Sequence, residues 1–471
     1  MLIRELVQRF EKQAPVGVML RAALENVFSS ERLNRLFEET ATSQTNRNLL
    51  FSSIADLMGL VALKIHPSVH AGYQAGRQEL GVTVKAIYDK LQRMEPNVSR
   101  ELVRDTADRL REIVLQTGGA WPELLPGYRV KIVDGNHLRR TQKRLLELRD
   151  RNVAPLPGQC LVVLDPQTKL AIDVLPCEDG HAQERSLSPK LLETVERRDL
   201  WIADRNFCTL DWLQGIHERK AYFVIRQHAG LSFTLVGRQK KVGVTETGTI
   251  YEQKALLPNG MQLRRVTVKL FQPTRDGDEE MHILTNLPSR IGALRIAELY
   301  RDRWTIETAF QEVAENLAGE IETLGYPRAA LFSFCMALTA FNLLSVIRAS
   351  FRAAHSELMP QPKASAEKQE PVKQESAREI SIYYLCDEAA HTYRGLEIAI
   401  PEAYWTKTYA KLTPKKIAKQ LVRIAAGGNI QRYQKHPRGA KKPKKTARKK
   451  DRRHASTAKI LTLERGYQVS T

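Results

Sequence analysis

Apolar residues in the first 120 positions recur every three to four residues, the spacing of one helix face. Leu20–Phe28, Leu49–Ile65, Val82–Met94 and Leu102–Leu115 all follow it, so residues 1–125 are expected to be a helical region. Asn97 and Ser99 stand where they can cap the last of these helices, and Val82–Leu102 is spaced as a helix-turn-helix candidate. From Gly127 the pattern changes to short β-type runs. Val130–Val133 (ending in Asp134), Cys160–Leu164, Ala171–Leu175, Leu200–Ala203 (ending in Asp204) and Tyr222–Arg226 predict strands. Ser188–Arg197 and Leu210–Glu218 predict helices between the last three, and Asp165–Lys169 turns the second and third strands into a hairpin. The order is β-β-β-α-β-α-β, an α/β domain.

That alternation breaks over 229–287. Leu231–Val236, Lys240–Thr247, Ile250–Leu256, Gln262–Leu270 and His282–Leu284 predict antiparallel strands, with turns at Pro258-Asn-Gly260 and Arg275-Asp-Gly277. A β subdomain is thus inserted before a helical stretch. There Tyr300, Arg303 and Glu307, at i, i+3 and i+7, share one face of a single predicted helix, with Leu299, Ile306 and Phe310 on its apolar side. Ala329–Ile347 is apolar but interrupted by Ser333, Thr339 and Asn342, and reads as a buried core helix. Residues 355–378 have a flexible-linker composition, 379–428 are helical up to Gly427-Gly428, and 429–471 form a basic tail.

Charge adds a partner to this picture. Lys and Arg total 73 against 53 Asp and Glu in 471 residues, a net +20 that calls for a polyanion. Residues 435–453 carry eleven of the cations, and Lys441, Lys442, Lys444, Lys445, Arg448, Lys449 and Lys450 are candidates for sequence-independent phosphate contact. No run of about 18 uninterrupted apolar residues argues for a membrane span. The N-terminus, broken by Arg4, Glu5 and Arg9, does not read as a signal peptide. Five scattered cysteines without a Cys-x-x-Cys pair fit a reducing, cytoplasmic setting.

The candidate chemistry rests on three carboxylates. Asp134 and Asp204 end the first and fourth predicted strands, which can lie side by side and parallel, so their ends meet where open α/β sheets place ligands. A helix on that sheet could bring Glu307 to the same edge. Three converging carboxylates repel one another unless a cation neutralises them, and Mg²⁺ or Mn²⁺ suits all-oxygen donors. Two such ions roughly 3.5–4 Å apart would serve phosphodiester displacement.

Val-Asp134-Gly-Asn, Ala-Asp204-Arg-Asn-Phe, Ile-Leu-Thr-Asn-Leu-Pro (283–288) and Tyr300-Arg-Asp-Arg-Trp-Thr-Ile-Glu307 together resemble the bacterial DDE transposases of the insertion-sequence-4 type, over roughly 125–350. The resemblance implies a multidomain α/β protein. Its ribonuclease-H-like catalytic domain (126–228 and 288–354) would be interrupted by an antiparallel β insertion (229–287). Helical N- and C-terminal regions would flank it. It implies that Asp134, Asp204 and Glu307 hold two Mg²⁺ or Mn²⁺ ions per active site, and that Tyr300 and Arg303 grip terminal DNA phosphates. It implies cleavage at the ends of an insertion sequence and joining of 3′-OH ends to target DNA, by a homodimer bound to double-stranded DNA in a bacterial cytoplasm. The alternatives are an inactive relative acting as an end-binding repressor, and a structure-specific nuclease without strand transfer. The family signature is Tyr-x2-Arg-x3-Glu-x6-Lys, and its last position here is Ala314. Arg205 and Arg328 are candidates for that missing phosphate contact. Asp165 and Asp173 read as turn and surface residues, Cys177–His181 as a structural loop, and Trp304 as core packing rather than a base-stacking platform. Phe233, Tyr251 and Phe271 are the large aromatics of the insertion.

Overall fold

The strands alternate between two buried faces. Ile132, Ile202 and Val224 turn to one apolar cluster, and Val133, Ala203 and Ile225 to a second. A sheet covered on both sides follows. The computed structural model describes residues 2–46, 48–274, 277–358, 379–436 and 453–469. Its helices α1 (Leu2–Gln13), α2 (Pro15–Val27), α3 (Ser30–Thr40), α4 (Phe51–Ala62), α5 (Val69–Ala75), α6 (Arg77–Leu80), α7 (Val84–Arg93) and α8 (Pro96–Thr117) precede β1 (Arg129–Leu138). Then come α9 (Leu146–Arg149), β2 (Val153–Leu156), β3 (Gly158–Asp165), β4 (Leu170–Cys177), α10 (Glu184–Leu192), β5 (Asp199–Ala203), α11 (Leu210–Glu218) and β6 (Tyr222–Arg226). The expected insertion holds β7 (Thr234–Val244), β8 (Gly248–Leu256), β9 (Gln262–Leu270) and β10 (Glu280–Thr285). The chain continues through α12 (Ala293–Arg301), α13 (Trp304–Asn316), α14 (Pro327–Ala354), α15 (Ile382–Ala399), α16 (Glu402–Tyr409), α17 (Pro414–Ala426), β11 (Arg453–Ser456) and α18 (Thr457–Arg465).

The result is a mixed α/β structure around one nine-stranded sheet of order β4-β3-β1-β5-β6-β10-β9-β8-β7. β1, β5 and β6 are parallel, and the remaining pairings are antiparallel. The strands of the insertion pair onto β6 through β10, so they lengthen the sheet instead of forming a separate one. The two expected strands at 231–236 and 240–247 are one long strand, β7, whose register shifts between Val236 and Lys240. Of its two expected turns, Gly260 has φ +81, which a side chain disfavours, whereas Arg275 and Asp276 lie outside the described residues.

Helices α2, α4, α8, α14, α15 and α17 bury their apolar faces together on one side of the sheet. The N- and C-terminal helical regions therefore share a core with α14. That helix is long and apolar enough to cross a membrane, and its apolar window is entirely buried within the protein. α10 and α11 cover the opposite face.

Several expectations change. α8 starts at Pro96 with Glu95 at its cap position, so Asn97 and Ser99 lie inside the helix, and the Ser99 hydroxyl donates back to the Glu95 carbonyl. In the helix-turn-helix candidate, this second helix packs on β4, α14 and α17, and exposes Asp108, Glu112 and Gln116. Asp165 and Asp173 are both buried. Asp165 closes its turn through Thr168 and pairs with Arg111, and Asp173 takes two hydrogen bonds of 3.0 Å from Arg100 on α8. Their strands lie under α8, which makes these carboxylates anchors and not surface charges. The linker expected at 355–378 lies outside the described residues from 359 on, as do all seven cations named between Lys441 and Lys450. Beyond them the chain is not a tail. β11 pairs in parallel with β2, and Ile460 and Leu461 of α18 pack on Leu148 of α9 and on Leu145 at its start.

Gly119 lies flat on α14, and a β-carbon there would enter the Ala349 carbonyl. Because the obstacle is helix backbone, Gly119→Ala should destabilise the protein by about 1–3 kcal/mol. Urea unfolding would measure this, and an unchanged midpoint would show that the contact gives way.

Candidate active site

The first requirement is that Asp134 and Asp204 lie on neighbouring strands. β1 and β5 pair in parallel register through Ile132 with Ile202 and Val133 with Ala203, so the two aspartates are the next residues on adjacent strands about 4.8 Å apart. β5 ends there, and the Asp204 carboxylate accepts the Arg205 N–H at 2.6 Å as the chain turns. β1 does not end at Asp134. It runs on to Leu138 against β3, which makes Asp134 an internal strand residue at the place where parallel pairing stops.

The segment carrying the third acid is not one helix. α12 stops at Arg301, Asp302 and Arg303 form a turn, and α13 starts at Trp304. The backbone tightens into three-residue steps, with Arg303 N–H bonded to Tyr300 and Ile306 N–H to Arg303. Tyr300, Arg303 and Glu307 still reach the same region. The Arg303 guanidinium donates to Asp134 at 2.9 Å and to Glu307 at 2.6 Å, and so bridges the two acids. Tyr300 is buried beside Arg303, and burial raises its phenol pKa, a shift that the Arg303 guanidinium opposes and Asp204 reinforces. Glu307 is about half exposed, at 51%. Trp304 is exposed at 58%, not packed in the core, because the break before α13 turns it outward.

Burial sets the protonation of Asp134. It pushes this carboxyl up to about 7, the Arg303 guanidinium opposes the shift, and Glu184 and Asp204 reinforce it. Among the described residues, no three acidic, His or Cys side chains converge closely enough for one metal ion. Arg303 is the cation that neutralises Asp134 and Glu307 in this arrangement. The donors are all carboxylate oxygens, a set that fits a hard divalent ion if the guanidinium moves aside. Arg303 Nε is buried without a hydrogen-bond partner, a donor left available to a further acceptor.

In metal-free protein, folded Asp134 holds its proton up to pH about 7, whereas an unfolded aspartate holds it only to about 4. The folded state binds the extra proton, so this stability is complete below pH 4 and is lost as the pH rises to 7. Asp134→Asn has no such loss. In EDTA its melting temperature should fall less between pH 5 and 8 than that of the parent, and equal falls would refute the effect of burial.

Residues 126–343 match the family model of the transposase DDE domain. A putative transposase, y4zB, of Sinorhizobium fredii is 27% identical over 233 residues, covering 44% of this chain. The match spans 62% of that relative, under two thirds of its length. A chain in the cryo-electron-microscopy structure of the piggyBac transposase synaptic complex with hairpin DNA aligns over 84% of this chain and 85% of its own, at 12% identity and TM-score 0.38.

The DDE-domain match contains Asp134, Asp204, Glu307, Tyr300, Arg303 and Arg205. Arg205 is exposed beside Asp204, at a cleft of about 740 Å³ that His137, Glu184, Asn206 and His228 also line. Arg328 lies elsewhere, bonded to Glu178 at 3.0 Å and to the Gln468 carbonyl at 3.0 Å. Glu184 escaped the sequence reading. It packs against the Gly135 backbone, accepts from Asn206 at 3.0 Å, and acts on Asp134 more strongly than Asp204 does. Its one local signal was its place at the start of α10, four residues before the expected helix start.

Proposed function

We propose that this protein is a transposase that cuts DNA at the ends of its own element and joins the freed 3′-OH ends to target DNA. The observation carrying the proposal is the register of β1 and β5, which sets Asp134, inside β1, beside Asp204, just past the end of β5, with Arg303 bridging Asp134 and Glu307. The three antiparallel strands β4, β3 and β1, followed by parallel β5 and β6, support a ribonuclease-H-like reading of 126–228 and 288–354. The transposase DDE domain match supports it independently.

Asp134, Asp204 and Glu307 would hold Mg²⁺ or Mn²⁺. Bound there, the metal would make a water or 3′-hydroxyl nucleophilic near neutral pH and stabilise the leaving oxygen. The chain's own residues do the rest. Arg303, released from Asp134 and Glu307, offers two N–H groups and its free Nε to a DNA phosphate in the bidentate geometry that guanidinium favours. Buried Tyr300 stands beside that guanidinium. Arg205 adds positive charge at the rim, and exposed Trp304 has a free ring on which an unpaired base can stack. Two chains bridging two DNA ends would complete the reaction.

The direct experiment incubates the protein and Mg²⁺ with DNA carrying the inverted repeats that flank its gene. Nicking followed by joined product is expected. Binding without nicking would indicate a repressor, and nicking with no joining of pre-cut ends would indicate a nuclease.

A further inference from the structure

β1 carries the chain from Asp134 to two exposed arginines, Arg139 and Arg140. Their backbone is fixed. Both N–H groups donate to one carboxylate oxygen of Glu320, at 2.5 and 2.6 Å, and the Gln142 N–H donates to the Glu322 carbonyl at 2.9 Å. The far side of the loop is held as well. Leu145 and Leu148 pack under Ile460 and Leu461, Glu147 pairs with Arg465, and Arg151 pairs with Glu464 at 2.5 Å. The chain's last helix thus clamps the segment that follows the arginines.

The side chains are free where the backbone is not. The Arg139 guanidinium has no hydrogen bond or ion pair among the described residues, and Arg140 reaches only the Ala314 carbonyl, at 3.3 Å. Residues 139–151 hold six Lys or Arg against Glu147 and Asp150, and both of those acids follow the arginine pair. Two cations reach the last turn of α13: Lys64 donates to the Glu315 carbonyl at 3.0 Å, and Arg140 to that of uncharged Ala314. Capping the carbonyls of α13 would account for Arg140, but it leaves Arg139 unexplained. Five residues of strand separate Asp134 from Arg139, roughly 16 Å at 3.3 Å per residue. That is less than one turn of duplex DNA.

The geometry points to Arg139 and Arg140 as a preformed grip on backbone phosphates of duplex DNA, within one helical turn of the reacting phosphodiester. The inference rests on the transposase reading. Because the loop is already ordered, binding does not meet the cost of fixing it. The contact is to phosphate, so it is independent of sequence and weakens with salt.

The test measures binding of a 30-base-pair duplex to the full chain by fluorescence anisotropy from 50 to 300 mM salt. Arg139→Ala, Arg140→Ala and the double variant are compared with the parent. Each lost phosphate contact should lower the slope of log affinity against log salt by about 0.9, so the double variant should lose about 1.8. Its binding at 150 mM salt should weaken about tenfold, with an unchanged melting temperature. Arg139→Ala removes a side chain with no hydrogen bond or ion pair among the described residues, so its result is read apart from folding. Parent-like slopes and affinities in the variants, alongside a parent that binds and nicks, would overturn the grip and leave the transposase reading intact. A lowered melting temperature with an unchanged slope would make Arg140 a helix cap and would also overturn it. A parent that neither binds the duplex nor nicks element ends would remove both readings.

Discussion

Asp204→Asn should abolish Mg²⁺-dependent nicking and leave DNA binding and melting temperature close to those of the parent. The substitution separates charge from structure. The amide oxygen of the new side chain can still accept the Arg205 N–H that shapes the turn after β5, whereas the negative charge on the cation-binding edge is gone. Loss of an outer-shell partner costs a metal site about 10–100-fold, and loss of a ligand itself should cost on the order of a thousandfold or more, about 4 kcal/mol in the barrier. Glu307→Gln should behave alike, and there Arg303 donates to an amide oxygen in place of a carboxylate. Full nicking by either variant would remove that residue from the site. Loss of binding together with nicking would assign it to DNA contact instead.

Asp199→Ala should be the most damaging single change to stability. Asp199 begins β5 at the end opposite Asp204, and its carboxylate is fully buried. It accepts from Lys131 at 2.8 Å and Arg129 at 2.7 Å, and the buried Lys131 ammonium also sits over the Trp201 ring. Removing the acid leaves Lys131 charged or forces it neutral in an apolar setting, and breaking a buried pair from one side costs about 3–5 kcal/mol. The same pair locks β1 to β5, so the loss strikes the register that aligns Asp134 with Asp204. Denaturant unfolding should show the drop, and Lys131→Met in the Asp199→Ala background should recover part of it by removing the stranded charge. A loss below about 1 kcal/mol would mean that water reaches Lys131.

Local periodicity carried much of this arrangement. β6 and α11 lie over the residues their patterns indicate, and the hairpin of β3 and β4 turns where Asp165-Pro166 suggests. The side-by-side placement of Asp134 and Asp204 followed from strand order alone. What escaped depended on distant partners. β1 looks finished at Asp134 because Gly135, Asn136 and His137 have weak strand preference, yet β3 pairs with it to Leu138. The break at Asp302-Arg303 lies inside a regular helical pattern, with no proline or glycine to mark it. Trp304 faces outward only because of that break. Asp173 looked like a surface residue because its neutralising Arg100 stands on a helix 73 residues away. Glu184 reaches the site through a close approach to Gly135, which no spacing in sequence encodes.

The pairing of β11 with β2 also sets a schedule for synthesis. Val153 meets Arg453, its register partner, only after some three hundred further residues have been made. At 5–20 residues per second that interval is roughly 15–60 s. Through it Leu145 and Leu148 have no cover from Ile460 and Leu461. A nascent chain stalled before residue 453 would present that apolar pair and an unpaired β2 edge to chaperones and proteases, with the DNA-facing arginines beside them unclamped.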